Sequence, residues 1–228
     1  MAIAFDNSTA TAWGSTDITQ SFTCTGSNRV LFVGSSTYHS PLMTTSSITY
    51  NGVALTKINS ITASLEGQSQ DCELWYLDGP ASGANNIVAA FSDTGLYKRI
   101  AASSYTGKTS TGIDANNTAQ NTSASTTSPA CNVTVVASDC WLVGYAYGRD
   151  ATPGAGTATT VRSATAEGHA IGDSNAVVGT GSQTLAFTQS SATWPGILSA
   201  SFSAGGGGGF TAKSRRTIGY RVGSRSYY

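Results

Sequence analysis

Short runs in which apolar residues alternate with polar ones recur about every 8 to 15 positions up to about position 203, each closed by Gly, Asn, Asp, Ser or Pro. A period of two fits strands, and no run carries the three-to-four spacing of an amphipathic helix. About a dozen strands are expected, at 9 to 13, 18 to 24, 29 to 36, 47 to 50, 53 to 61, 72 to 77, 86 to 91, 97 to 105, 132 to 136, 140 to 147, 158 to 164, 183 to 188 and 197 to 202. The sharpest local signal is ITYNGVALTKI, where Asn51 and Gly52 stand between two alternating runs. Both tolerate positive φ, so they close a two-residue hairpin.

Two segments read as loops. Residues 108 to 130 are mostly Thr, Ser, Asn and Ala, and 149 to 156 (RDATPGAG) hold Pro153 between small residues after a strongly apolar run. So many short strands protect their edges best by pairing face to face, and the expected fold is all-β: an antiparallel two-sheet sandwich, jelly-roll-like. Two strands are nevertheless apolar on both faces. In CELWYL, Cys72, Leu74 and Tyr76 oppose Glu73, Trp75 and Leu77, and in 140 to 147 Trp141, Val143, Tyr145 and Tyr147 oppose Cys140, Leu142, Gly144 and Ala146. Something must cover the second face: an extra strand, the Thr/Ser loop or a neighbouring subunit.

Composition supports this picture. Ser and Thr number 32 each and Gly 26, while only 11% of the 228 residues are charged, which disfavours long helices and coiled coils. No apolar run approaches the roughly 18 residues of a membrane span, so no membrane association is expected. The start, MAIAFDNSTATAW, lacks the basic and apolar regions of a signal peptide, and synthesis without export is expected. Cys24, Cys72, Cys131 and Cys140 lack metal-ligand spacing and read as buried thiols.

Charge is unevenly placed. After residues 1 to 204 come five glycines, 205 to 209, too costly to order in a regular element and read as a flexible hinge. The arm beyond, 210 to 228, carries Lys213, Arg215, Arg216, Arg221 and Arg225 and no acid. That leaves seven basic against twelve acidic residues before it, so a neutral chain conceals a basic arm on an acidic body. Ile218, Tyr220 and Val222 alternate with polar and small residues, the pattern of an added strand. With Tyr227 and Tyr228 these residues are the candidate partner-binding set, for copies of the chain or other subunits of an assembly. Nucleic acid is disfavoured because the acidic body repels phosphate.

Catalytic chemistry has little to stand on. The two histidines, His39 and His169, read as loop residues, no GxSxG run places a nucleophile, and the three glutamates are scattered, with Glu73 read as a rim charge. The glycine run lacks the Lys-Ser/Thr of a phosphate loop, and no cofactor or metal is expected. The turn GDSN at 172 to 175 is too common a pattern to imply calcium. Trp13, Trp75 and Trp141 lie in apolar strands. That leaves Trp194, in SATWPGIL, as the candidate for stacking on a glycan.

The succession ITYNGVALTKI, CELWYLDGPASGANNIVAAF, IAASSYTG, VTVVASDCWLVGYAYG with DATPGAG, and WPGILSASFSA resembles a Ser/Thr/Gly-rich β-sandwich domain that recurs in uncharacterised bacteriophage virion proteins and bacterial surface proteins. It covers about 29 to 204 and implies a modular, non-catalytic sandwich with no catalytic residue to carry over; the hinge and arm fall outside it. The expected function is a phage-type virion structural protein, a capsid decoration or head or tail accessory subunit, docking through its arm. A carbohydrate-binding module for surface attachment is the alternative.

Overall fold

The computed structural model describes residues 2–65, 68–95, 97–120, 127–148, 152–189 and 196–205. These form seventeen strands, all paired antiparallel, and no helix. The first nine are β1 (Ala4–Ala10), β2 (Ile18–Cys24), β3 (Val30–His39), β4 (Thr45–Tyr50), β5 (Val53–Ala54), β6 (Thr56–Leu65), β7 (Gln68–Asp78), β8 (Gly83–Phe91) and β9 (Lys98–Thr106). They make one sheet in the order β1-β9-β3-β7-β6 and a second in the order β2-β8-β4-β5. The first strand lies beside the last and the chain alternates between sheets, which is jelly-roll winding. The Asn51-Gly52 hairpin is present, with φ of 49° and 75°.

The remaining strands repeat the winding. They are β10 (Ala115–Gln120), β11 (Ala130–Val135), β12 (Cys140–Tyr147), β13 (Gly154–Ala155), β14 (Thr160–Thr165), β15 (His169–Asp173), β16 (Gly181–Thr188) and β17 (Gly196–Ser203). Their sheets run β10-β17-β12-β15-β14 and β11-β16-β13, the same order strand for strand except that no partner of β5 is present among the described residues. The all-β antiparallel sandwich is therefore built twice, and the two five-stranded sheets pack on each other as the middle layers of four.

That packing explains the strands that are apolar on both faces. On one side of the first five-stranded sheet, Leu31, Val33, Trp75 and Ile100 meet Phe22, Ile48, Tyr50 and Ile87 of its own roll. On the other side, Val30, Phe32, Leu74 and Tyr105 meet Trp141, Val143, Tyr145, Leu198 and Phe202 of the second roll. The ring centroids of Phe32 and Phe202 are 4.9 Å apart, and those of Tyr105 and Phe202 5.1 Å. A third core, with Val133, Leu142, Leu185, Phe187 and Ile197, fills the second roll. The expected cover is thus neither a loop nor a neighbour but the other half of the same chain.

The two rolls correspond residue by residue. A bulge between Lys57 and Asn59 opposite Trp75 and Leu74 recurs between Val161 and Ser163 opposite Gly172 and Ile171. Gly83 and Gly181 open β8 and β16 with φ of 88° and 90°, and Asn28 and Asp139, both non-glycine residues with positive φ, precede β3 and β12. Asp6 accepts from Thr25 N at 2.9 Å and Ser104 Oγ at 2.7 Å; Asp114 accepts from Val136 N, Ala137 N and Ser201 Oγ, each at 2.9 Å. Each aspartate ties the end of one sheet to the turn after the second strand of its roll.

Several expectations are corrected. The polar stretch 108 to 130 contains β10, an edge strand whose Asn and Thr side chains stay near solvent, and 149 to 156 contains the stub β13. The strand expected at 9 to 13 starts earlier, at Ala4, and leaves Trp13 outside it. His39 ends β3, and His169 opens β15 fully buried. Small residues such as Gly172 and Ala170 hide that strand from a periodicity search.

Candidate functional site

The residues singled out in the sequence for partner binding, Lys213 to Tyr228, and Trp194 for glycan stacking all lie outside the described residues. The described chain stops at Gly205. Just before it, Ala204 N donates to Asp139 O at 3.3 Å and Ala204 O accepts from Thr109 N at 3.1 Å, so the chain reaches residue 205 beside the turn that joins β11 to β12.

Buried charge between the rolls serves to hold them together. Arg99, fully buried, donates from Nε to Ser36 Oγ at 2.7 Å and from its terminal nitrogens to the carbonyls of Gly148, at 3.1 Å, and Glu167. Its guanidinium carbon sits 3.9 Å from the centre of the Trp13 ring. The Ser36 hydroxyl in turn meets Tyr145 Oη at 2.8 Å. Asp173, also fully buried, accepts from Tyr105 Oη at 2.7 Å and takes Arg162 in a forked pair at 2.7 and 2.9 Å. Burial and the Arg99 charge push the His169 pKa well below its ordinary value, so the imidazole is neutral at physiological pH.

One polar cluster has no counterpart in the other roll. Asp71 and Glu73 point into the interior of the first roll, 2% and 1% exposed, and Lys57 Nζ meets Glu73 Oε1 at 2.6 Å while lying 5.0 Å from the Trp75 ring. The rim position expected for Glu73 is corrected: its side chain is 2% exposed. Burial first, then the Glu73 charge and a shared hydrogen bond, raise the Asp71 carboxyl to about 7, against the opposing pull of Lys57. The matching positions in the second roll, by register, are Gly168, Ala170, Val161 and Gly172. The same bulge and register form without any of these charges, so the fold does not require them. Asp71 can hold or release a proton near neutral pH, and the charged side chains beside it are Glu73 and Lys57.

Two surfaces stand out. At one end of the first roll, Tyr97, 43% exposed and at φ 71°, packs edge-on to Trp13 at 5.2 Å and to Tyr38 at 6.1 Å. At the end of the second roll where residue 205 lies, Val136 and Val177 are 73% and 55% exposed, beside the exposed Asp139. Asp114, whose carboxylate accepts the Val136 and Ala137 amides, is held below the usual carboxylate range; burial opposes this, but those amides and the Ser201 hydroxyl outweigh it. The four cysteines are free and buried, and burial pushes the thiols up, Cys140 to about 12.

The acid pair escaped the sequence because a Glu in a strand reads as solvent-facing. The available signal was that Asp71, Glu73 and Trp75 share one face of a strand whose other face is apolar. Among families of known proteins, curated proteins and solved structures, nothing matches this chain.

Proposed function

We propose that this chain is a non-catalytic structural subunit of a particle, of the phage virion type, that docks on neighbouring subunits through its basic C-terminal arm. The observation that carries the reading is the joining of two jelly rolls into one four-layer block, with Arg99 and Asp173 each bonded across the contact between the rolls. Such a block offers a stiff body and several sheet edges. The acidic body and the basic, aromatic arm are complementary, which favours contact between copies or with subunits of similar charge. Imaging the native assembly, and comparing incorporation of the full chain with one ending at Gly205, tests the reading. Equal occupancy would end it.

A second reading, attachment to a glycan, is favoured by the Trp13, Tyr38 and Tyr97 cluster. A tyrosine held at positive φ is strained, and strain of this kind collects at functional sites. Binding on a glycan array that disappears in Tyr97→Ala would support it, and no binding at all would remove it.

A further inference from the structure

Among the described residues, the second roll has an edge with no backbone partner. In the first roll, Ser47 pairs with Ala90 and Lys57 with Trp75, ten positions apart, and the hairpin between them carries β5. In the second, the matching residues Gly154 and Val161 are seven positions apart, so the hairpin is three residues shorter. The first roll uses its hairpin to cover β8: Asn51 N donates to Asn86 O at 3.1 Å. The residue that matches Asn86 by register is Thr184, and no described backbone group reaches it from that side.

The direction of the free groups follows from their neighbours. On the β11 side, Phe187 N donates to Pro129 O and Gln189 N to Thr127 O; on the β13 side, Ala186 O accepts from Gly156 N. Alternation then turns the N–H and C=O of Ser182 and Thr184 to the open side. This edge begins at Gly181, which pairs with Val135, directly before the exposed Val136. The exposed Val177 lies four residues before this edge, the residue after it, Val178, bridges to Cys140, and the exposed Asp139 next to Cys140 supplies a negative charge.

We infer that the β16 edge from Gly181 to Thr184 is the receiving site for the arm of a second copy of this chain, with residues 217 to 223 adding as a strand. The inference rests on the arm-docking reading above and names the surface that the arm meets. Ile218, Tyr220 and Val222 supply alternate apolar side chains for Val177, and Arg216 and Arg221 supply charge for Asp139. Every strand pair in the described fold is antiparallel. The chain's own arm starts at the Gly181 end and would have to run past the edge and reverse to pair that way, whereas a neighbour's arm enters freely. An arm meets an edge rather than another arm, so each copy carries one of each and the contact joins copies as a reciprocal pair, a ring or an open chain.

The test uses the full chain in sedimentation velocity from about 1 to about 200 μM. The expected result is concentration-dependent association that weakens by about tenfold or more in Ser182→Pro, which removes an edge N–H while sparing the β11 ladder. Ser182→Lys, which leaves the backbone intact and repels a basic arm, should act in the same direction and covers the case of a misfolded proline variant. A chain with Ile218→Ser, Tyr220→Ser and Val222→Ser should also fail to associate. Mixed with Ser182→Pro, it should form one-to-one pairs that do not grow, since one chain then brings a working arm and the other a working edge. Association unchanged in both Ser182 variants but lost in the triple serine chain overturns the receiving site and leaves arm docking standing. Association unchanged in the triple serine chain overturns arm docking itself. A chain monomeric throughout the range overturns the inference.

Discussion

The two jelly rolls share a strand order, a bulge and two positive-φ positions, yet they differ where they touch and where they end. Across the contact between them, Gly34 of β3 corresponds by register to Tyr145 of β12. The two residues meet, and a Cβ on Gly34 would lie 2.1 Å from the Tyr145 ring. Two tyrosines at these matched positions would clash and two glycines would leave a void. A chain that joins both halves can hold one of each, which two identical halves cannot. The same freedom lets the first roll carry Asp71, Glu73 and Lys57 while the second keeps small residues there, and lets the second shorten its hairpin.

The largest expected effect strikes what the rolls share. Phe202→Ala removes a ring packed on Phe32 and Tyr105 across the central core and should cost about 3 to 5 kcal/mol in urea unfolding. A single transition moving as a whole is expected. Two separated transitions would mean that the rolls unfold independently and the comparison should be made between domains.

Next comes the charge difference. The Asp71 carboxyl is pushed up to about 7, above the ordinary aspartate value of about 3.9, so its proton is bound more tightly in the native state. Its contribution to stability is full below about pH 4 and is lost as pH rises to about 7, by something of the order of a few kcal/mol. Asp71→Asn should flatten the dependence of unfolding free energy between pH 4 and 8. An identical slope in the variant would show that this pair does not set it.

Gly34→Ala should cost about 1 to 3 kcal/mol, because the Tyr145 ring is fully buried and has nowhere to move. A neutral result in thermal unfolding would mean that the contact between rolls slides easily. The smallest effect concerns the two hairpins. Ala158, at φ 55°, should gain about 0.5 to 1 kcal/mol on replacement by Gly, while Gly52→Ala at φ 75° should lose about as much. Equal signs would show that the shortened hairpin is not under comparable strain.

Much of the fold was legible because alternation survives wherever one face meets solvent, as in Cys131, Val133 and Val135 of β11. It fails in β15, where His169 to Asp173 are all buried and glycine stands at a position that in the first roll holds Trp75. The doubling was written faintly: FDNSTA at 5 to 10 answers IDANNTA at 113 to 119, and IAASSY at 100 to 105 answers ILSASF at 197 to 202. Most other matched positions trade one small or apolar residue for another, which sheet packing tolerates and a residue-by-residue reading cannot detect. The charged clusters were less legible still, since Arg99 and Asp173 are buried by a layer that only the doubled architecture supplies, and Asp71 by the second sheet of its own roll.

Four stacked layers also set an order in which the molecule opens. Amides of β3 and β12 lie in sheets covered on both faces, so their hydrogens exchange only when the whole block comes apart. Those of the outer sheets have water on one side and can exchange by opening of a single layer. The free edge of β16 belongs to that outer class, so whatever seats on it should slow deuterium uptake there first and leave the slow interior unchanged.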